Sequence, residues 1–190
     1  MTKKNIVELY SDSSITKRVD IILDHFSCFE RMLSGYEKSL SAAIKRERDL
    51  NRRISMGDLG IRVQTSHISN PTCDEVCNRL EIEEAIHNGD WKKALVGTDD
   101  FFNHRNEIIT IELMRNDYDI VSGQLDSLEN EDYLLYTKYL NSSKTYIELA
   151  EDFGLTFDAV RTRVYRSRAR VKNNSIQFMM ERNGTKKVAA

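Results

Sequence analysis

The stretch from Thr145 to Val171, TYIELAEDFGLTFDAVRTRVYRSRARV, predicts a short helix, a tight turn and a longer helix. Thr145 and Glu148 have the spacing of a capping box, in which each side chain accepts a hydrogen bond from the other residue's backbone N–H. Gly154 ends the short helix, because glycine adopts the left-handed conformation at little cost. Thr156 can cap the helix that follows. This order of elements is the helix-turn-helix pattern.

The apolar spacing predicts how these two helices pack. On the short helix one face holds Leu149, Ala150 and Phe153, and the small Ala150 allows a close crossing of two helices. On the longer helix the inward positions are Val160, Val164, Ser167 and Val171. The opposite face holds Asp158, Arg161, Thr162, Tyr165, Arg166 and Ala169. Most of this outer face can therefore hydrogen-bond to base edges or to phosphates.

Positive charge is concentrated on the longer helix. Residues 156–172 contain five arginines and one lysine against one aspartate, an excess of five positive charges, although the whole chain has a formal net charge of −2. A merely solvated basic surface needs no capped helix, glycine turn or inward valines. A membrane-lying helix needs a wide apolar face of large residues, and this helix has a narrow strip of valines. Recognition of double-stranded DNA accounts for all these features together.

The N-terminal half of a recognition helix enters the major groove, which predicts distinct roles along this segment. The residues expected to contact bases are Asp158, Arg161, Thr162, Tyr165 and Arg166. Arginine can pair bidentately with guanine, and a carboxylate can accept from the cytosine amino group. The residues expected to hold phosphates and set the register are Thr156, Phe157, Arg163, Arg168, Arg170 and Lys172.

The composition predicts an all-α protein. The chain has 190 residues with 31% charged residues, one proline and eight glycines, which favours helices over a sandwich or a barrel. We expect no membrane span, because no run of eighteen apolar residues occurs. The first residues, Met-Thr-Lys-Lys-Asn, lack the apolar stretch of a secretory signal, so we expect none. Three cysteines without a framework suit a reducing cytoplasm. No catalytic arrangement or nucleotide-binding motif stands out, so we expect neither an enzyme nor a cofactor.

The N-terminal region, residues 1–125, is expected to mediate oligomerisation or interaction. Its apolar stripe is formed by Ile15, Val19, Ile22, Phe26, Phe29, Leu33, Tyr36, Leu40 and Ala43. Spacings that alternate between four and three predict one long helix with a seam for a partner. The partner could be the rest of the same chain or a second copy. A homo-oligomer joined through Ile15–Leu40, with a dimer favoured, is therefore one prediction. The basic residues at 45–53 form a solvated face or a secondary contact with the DNA backbone.

The middle of the chain is expected to be helical as well. An extended connector over about 56–70 leads to Asn70-Pro71, and Thr72 with Glu75 forms a second capping box. Helices are expected over about 73–87, ending at Asn88-Gly89, and over about 99–122. Cys73 and Cys77 lie on one helical face, but a single such pair is a weak zinc signal, so we expect buried thiols and no metal. The remaining chain divides into a DNA-binding domain, 126–176, and a flexible tail, 177–190.

Residues 126–176 resemble region 4 of the sigma-70 family, in the form found in extracytoplasmic-function sigma factors. The resemblance rests on Glu148-Leu149-Ala150, Gly154-Leu155-Thr156, Val160-Arg161-Thr162-Arg163-Val164, Arg166-Ser167-Arg168 and Val171. LDSLENEDYLLYTKYLNSS, upstream, is similar to the first helix of that region. Ser167 and Val171 depart from the alanine and leucine that are frequent there. The resemblance implies a helix-turn-helix DNA-binding domain, with RNA polymerase as a second candidate partner.

The segment GIRVQTSHISNPTCDEVCNRLEI, followed by a sigma-like domain, resembles bacteriophage late-gene activators of the ArpU/RinA type from low-GC Gram-positive bacteria. This implies a transcription activator of phage or mobile-element genes. Three alternatives remain open: a divergent sigma factor, a small terminase-like packaging protein, and a protein whose C-terminal domain binds other proteins. A sigma factor would support transcription with core polymerase alone. A terminase-like protein would form a ring of eight or more copies, and a protein-binding domain would show no DNA binding at low salt.

Overall fold

The computed structural model describes residues 6–55, 71–141 and 144–188, and every regular element in this part of the chain is a helix. Side chains are described for residues 6–55, 76–141 and 144–182. The helices in this part are α1 (Ile6–Ser11), α2 (Ile15–Asp24), α3 (Phe29–Ser55), α4 (Pro71–His87), α5 (Trp91–Ala94), α6 (Phe101–Asp126), α7 (Asn130–Leu140), α8 (Tyr146–Phe153) and α9 (Phe157–Val188). The expected all-α class is confirmed.

The chain divides into two compact units. Met1–Arg31 and Met114–Ala190 form the first, here called the terminal unit, and Met32–Leu113 form the second, here called the middle unit. The structure thus divides the chain differently from the expected boundary between residues 125 and 126. The physical reason is that α2 packs against α9, so the first helices complete the core of the C-terminal ones.

The terminal unit is built around α9, which contacts α2, α7 and α8. Its fully buried large side chains include Tyr10, Val19, Ile22, Leu135, Tyr136, Leu149, Val160 and Val171. The upstream segment LDSLENEDYLLYTKYLNSS, expected to supply the first helix of this region, contains α7. Val160, Val164, Ser167 and Val171 are between 0% and 3% exposed, which confirms the predicted inner face of the long helix.

The middle unit contains α4, α5 and most of α3 and α6. The predicted helix that ends at Asn88-Gly89 is α4, and Gly89 has a positive φ of 68°. Arg48 and Glu47, on α3, tie the unit together. Arg48 donates to the backbone oxygen of Ala94 at 2.7 Å, and Glu47 accepts from the N–H groups of Asp99 and Asp100 at 2.7 and 2.8 Å. Glu47 therefore satisfies backbone donors just before α6.

The prediction of one long N-terminal helix is wrong. The helix α2 ends at Asp24, a 3-10 turn spans Phe26–Cys28, and α3 begins at Phe29. In a 3-10 turn the side chains at i and i+3 lie nearly above one another. Phe26 and Phe29 thereby both reach Tyr118, with ring centroids 5.3 and 5.4 Å from it. This shared aromatic contact favours the tighter turn over a continued α-helix.

The heptad stripe is largely buried within a single chain. Val19, Ile22 and Phe29 are 0% exposed, and Leu33 and Leu40 are 5% and 6% exposed. The stripe therefore packs against other parts of the same chain, which was one of the two alternatives. A dimer joined through Ile15–Leu40 would need these side chains to be free, so the stripe is not a dimer seam in this structure.

The long C-terminal helix extends beyond residue 176, where a flexible tail was expected. The helix α9 continues to Val188, and within this extension Met179 is 2% exposed. An apolar residue at this position packs onto the terminal unit and continues the inner face of the helix, on which Val171 and Ser175 are both 0% exposed. Burial of that face explains why the helix does not end near residue 176.

Two expectations fall on residues that the structure does not describe. The connector over 56–70 lies outside the described residues, and so do the side chains of Thr72 and Glu75, the expected capping box. The backbone shows α4 beginning at Pro71, a residue type well suited to the first turn of a helix. In the described part of the chain, no helix has the length and apolar character that crossing a membrane requires.

Candidate nucleic-acid interface

The turn between α8 and α9 is fixed at both ends by hydrogen bonds. Thr145 and Glu148 form the predicted capping box: the Thr145 N–H donates to Oε2 of Glu148 at 2.6 Å, and the Glu148 N–H donates to Oγ1 of Thr145 at 3.4 Å. The hydrogen bonds from Thr145 hold the pKa of Glu148 below its usual value. The short helix therefore starts at a defined residue.

The end of α8 is equally well defined. Gly154 adopts φ 61° and ψ 31°, in the left-handed region. Its N–H donates to the Glu151 oxygen at 3.4 Å, and the N–H of Leu155 donates to the Ala150 oxygen at 2.9 Å. These two bonds constitute a Schellman motif. Oγ1 of Thr156 then accepts from the Ala159 N–H at 3.3 Å, so the predicted glycine stop and threonine cap are both confirmed.

The outer face of the first turns of α9 is accessible and polar. Its members are Thr156, Phe157, Asp158, Arg161, Thr162, Tyr165 and Arg166, all of them exposed. Tyr165 is 74% exposed and Phe157 is 45% exposed. The structure thus brings all the predicted base-contacting residues together on one surface. Arg170, farther along the helix, is also exposed.

Three of the predicted phosphate-holding residues instead form ion pairs inside the terminal unit. Lys172 donates to both carboxylate oxygens of Asp20 at 2.6 and 2.8 Å. Arg168 donates to Asp24 at 2.6 Å. Burial alone would lower the pKa of Arg168, but the hydrogen bond to Asp24 outweighs it and raises the pKa. These two cations serve to hold α9 against α2.

Arg163 is the third of these residues. It lies 3.0 Å from Oε2 of Glu131 and 3.8 Å from Oδ1 of Asp132, both at the start of α7. Asp20 and Asp24 are four residues apart on α2, as Arg168 and Lys172 are on α9. That matched spacing of opposite charges was the signal in the sequence that could have identified two of the pairs.

Two tyrosines that the sequence did not single out border the same face. The rings of Tyr139 and Tyr146 stack with centroids 5.1 Å apart, and Phe157 meets Tyr146 edge-on at 6.0 Å. Burial and a hydrogen bond with Tyr139 raise the pKa of Tyr146 to about 12. A cleft of about 460 Å³ is lined by Tyr139, Tyr146, Asp158, Arg161, Thr162, Val164, Tyr165 and Arg168. Its hydroxyls, cations and carboxylate can all hydrogen-bond to a polar ligand.

Metal ligands do not gather in the described part of the chain: it holds no group of three or more His, Cys, Asp or Glu side chains that could bind an ion. Of the two cysteines considered above, Cys77 is exposed, so the expectation of a buried thiol is wrong there. Cys73 lies outside the residues whose side chains are described.

Comparisons with known proteins identify no relative of this chain. No family model matches the chain, and neither a curated protein nor a solved structure is significantly similar to it.

Proposed function

We propose that the chain is a sequence-specific DNA-binding transcription regulator whose α8 and α9 form a helix-turn-helix like that of sigma region 4. The observation that carries the proposal is the two-sided character of α9. Val160 and Val164 anchor one face in the core, while Arg161 and Arg166 stand exposed on the other. A rigidly held helix with a polar outer face is what reading of the major groove requires.

The exposed side chains suit specific base contacts. The guanidinium groups of Arg161 and Arg166 can each donate two hydrogen bonds to guanine, and Asp158 can accept from a cytosine amino group. In the described part of the chain neither Arg161 nor Arg166 forms an ion pair, so both are available to bases. Arg170, on the exposed side farther along α9, would contact phosphate.

The experiment is a selection of binding sites from randomised duplex DNA, followed by affinity measurements on the enriched site and on random duplex. Arg161→Ala or Arg166→Ala should weaken binding to the enriched site by about 1–3 kcal/mol, with a smaller loss on random DNA. Arg170→Ala is the matched control and should weaken both by a similar factor. Equal losses on the two DNAs for all three variants would contradict base reading and leave a phosphate-binding role.

The resemblance to phage late-gene activators extends the proposal to activation of phage or mobile-element genes. The alternative is a divergent sigma factor, because the C-terminal resemblance is to a sigma domain. Transcription from a template that carries the enriched site separates the two. An activator should stimulate the holoenzyme and give no transcript with core polymerase alone, whereas a sigma factor should initiate with core polymerase.

A further inference from the structure

We infer that a groove between α3 and α4, in the middle unit, binds an acidic amphipathic helix of a partner protein. The groove has a volume of about 870 Å³ and is lined by Lys38, Ser41, Ala42, Lys45, Arg46, Asp49, Leu50, Arg53, Arg79 and Glu83. It is remote in sequence from α9, and the DNA-binding proposal makes no use of it.

The two helices that form the groove run in opposite directions. At one end Glu37, early in α3, lies 3.7 Å from His87, in the last turn of α4. Farther along, Arg53, late in α3, lines the same groove as Arg79, at the middle of α4. Antiparallel helices leave a long channel between them, and a third helix can lie in such a channel with its apolar face inward.

Charge indicates the kind of helix that would occupy the groove. Five cationic side chains line it against two carboxylates, those of Asp49 and Glu83. Glu83 is already shared, since its Oε1 lies 3.5 Å from Nε of Arg79 on the same helix. A second copy of this chain that docked groove to groove would bring the same positive excess and would be repelled. A partner that carries carboxylates along its flanks would be attracted.

Exposed aliphatic residues argue for a helix rather than for nucleic acid. On α3, Leu50 and Ile54 are 56% and 69% exposed, and on α4, Val76 and Leu80 are 44% and 52% exposed. Each pair is four residues apart, so each pair lies on one face of its helix. Leu50 lines the groove itself. Aliphatic side chains add nothing to phosphate binding, but they are what the apolar face of an amphipathic helix covers.

A buried hydroxyl in the groove also lacks a partner. Ser41 is 1% exposed, and its Oγ has no hydrogen-bond partner among the described residues. A buried polar atom without a partner carries a free-energy penalty. A carboxylate or carbonyl oxygen on an incoming helix could accept from this hydroxyl and remove that penalty.

The test uses the full-length chain and a fluorescein-labelled synthetic peptide of about 18 residues, or roughly five helical turns. The peptide has leucines at positions i, i+4 and i+7 and glutamates on both flanks. We expect saturable binding in an anisotropy titration. Replacement of the peptide's glutamates by glutamines, or of its leucines by serines, should weaken binding by about tenfold. Equal binding of all three peptides, or no binding of the acidic one, overturns the inference.

Variants of the chain then locate the site. The double variant Arg46→Glu with Arg53→Glu, and the single variant Leu50→Ser, should each weaken peptide binding by about tenfold. Lys92→Glu with Lys93→Glu makes the same charge change at exposed positions of the same unit outside the groove, and it should leave binding unchanged. If the Lys92 and Lys93 variant lost as much affinity as the groove variants, attraction would be nonspecific and the inference would fail.

Duplex DNA as a competitor separates this inference from the DNA-binding proposal. The peptide should remain bound when DNA occupies α9, and Arg161→Ala should weaken DNA binding without changing peptide binding. Displacement of the peptide by DNA from an Arg161→Ala chain would mean that the groove is a second nucleic-acid site, and this would overturn the inference. The DNA-binding proposal could stand in that case.

Discussion

A buried ion pair between Arg18 and Asp117 is the charged contact of the terminal unit that we expect to contribute most to stability. Asp117 is 4% exposed and Arg18 is 8% exposed. The Tyr10 hydroxyl donates to Oδ2 of Asp117 at 2.9 Å, and Nε of Arg18 lies 3.2 Å from the same oxygen. That ion pair is close, although the Arg18 N–H is not aligned for a hydrogen bond. Burial raises the pKa of Asp117, and Arg18 opposes that shift.

We predict that Arg18→Leu lowers the free energy of unfolding by about 3–5 kcal/mol at neutral pH, because it leaves the buried Asp117 carboxylate without a counter-charge. Urea unfolding monitored by circular dichroism measures the change. Arg163→Leu is the control: it breaks an ion pair whose partner carboxylate on Glu131 is 80% exposed, and the expected loss is about 0–1 kcal/mol. Equal losses would mean that the buried ion pair contributes no more to the free energy of unfolding than the exposed one.

The same variant has a predicted pH dependence. A raised pKa in the folded chain means that Asp117 favours folding while it is protonated, and this contribution is lost as the pH rises through the folded pKa. Without Arg18 that pKa should rise further. The difference between Arg18→Leu and wild type should therefore shrink as the pH falls from neutral towards about 4, the ordinary value for aspartate. A difference independent of pH would contradict this account.

At the scale of helices, signals between near neighbours in sequence were predictable and contacts between distant segments were not. Thr145 with Glu148, and Gly154, act within one or two turns of chain, so their chemistry alone defined α8. The break after Asp24 depends on Tyr118, which is far away in sequence, and a heptad count cannot reveal it. The ion pair of Arg168 with Asp24 also joins segments that are far apart in sequence. Arg168 was therefore expected, wrongly for this structure, to be free for a DNA phosphate.

The turn before α9 gives a prediction in which backbone conformation is the sole variable. A Cβ added at Gly154 would meet nothing within 4 Å, but its φ of 61° is unfavourable for other residues. Gly154→Ala should therefore lower the free energy of unfolding by about 1–2 kcal/mol. Gly123, inside α6, also has nothing within 4 Å, and Gly123→Ala should raise it by about 0.5–1 kcal/mol. Thermal unfolding of the two variants should show changes of opposite sign in the free energy of unfolding. Changes of the same sign would contradict the left-handed conformation at Gly154.

The extension of α9 gives a second prediction at this scale. Met179 is 2% exposed, and its neighbour Met180 is 55% exposed. Met179→Ala should lower the free energy of unfolding by about 2–5 kcal/mol, as expected for a buried methionine. Met180→Ala should change it by no more than about 0.5 kcal/mol. Two small and equal effects in denaturant unfolding would support the flexible tail that the sequence suggested.

At the scale of the whole molecule, the two ends of the chain meet in one unit. The boundaries of the middle unit fall inside α3 and α6, so no glycine- or proline-rich linker marks them in the sequence. Asp24 and Arg168, which are 144 positions apart in sequence, form an ion pair, and α2 thereby determines which cations of α9 remain available. The excess of positive charge counted in the sequence overstates what DNA would meet.

This predicts a shallow salt dependence of DNA binding. Of the six basic residues between 156 and 172, Arg163, Arg168 and Lys172 are held in ion pairs. The remaining three, Arg161 and Arg166 in the major groove and Arg170 on a phosphate, would together release about three counterions from the DNA. The slope of log K against log salt should therefore be about −3, where six such cations would give about −5. Anisotropy titrations on the enriched duplex at several salt concentrations measure the slope.

Asp20→Asn combined with Asp24→Asn decides whether α2 sets that slope. Release of Arg168 and Lys172 from their carboxylates should add up to two phosphate contacts and steepen the slope by about two. Asp126→Asn with Glu129→Gln removes the same charge from exposed positions that form no ion pair among the described residues, and it should leave the slope unchanged. A wild-type slope already near −5, unaltered by the α2 variant, would mean that the ion pairs open on DNA. In that case α2 would be a helix that DNA displaces, and Arg168 and Lys172 would hold phosphates as their positions in the sequence suggested.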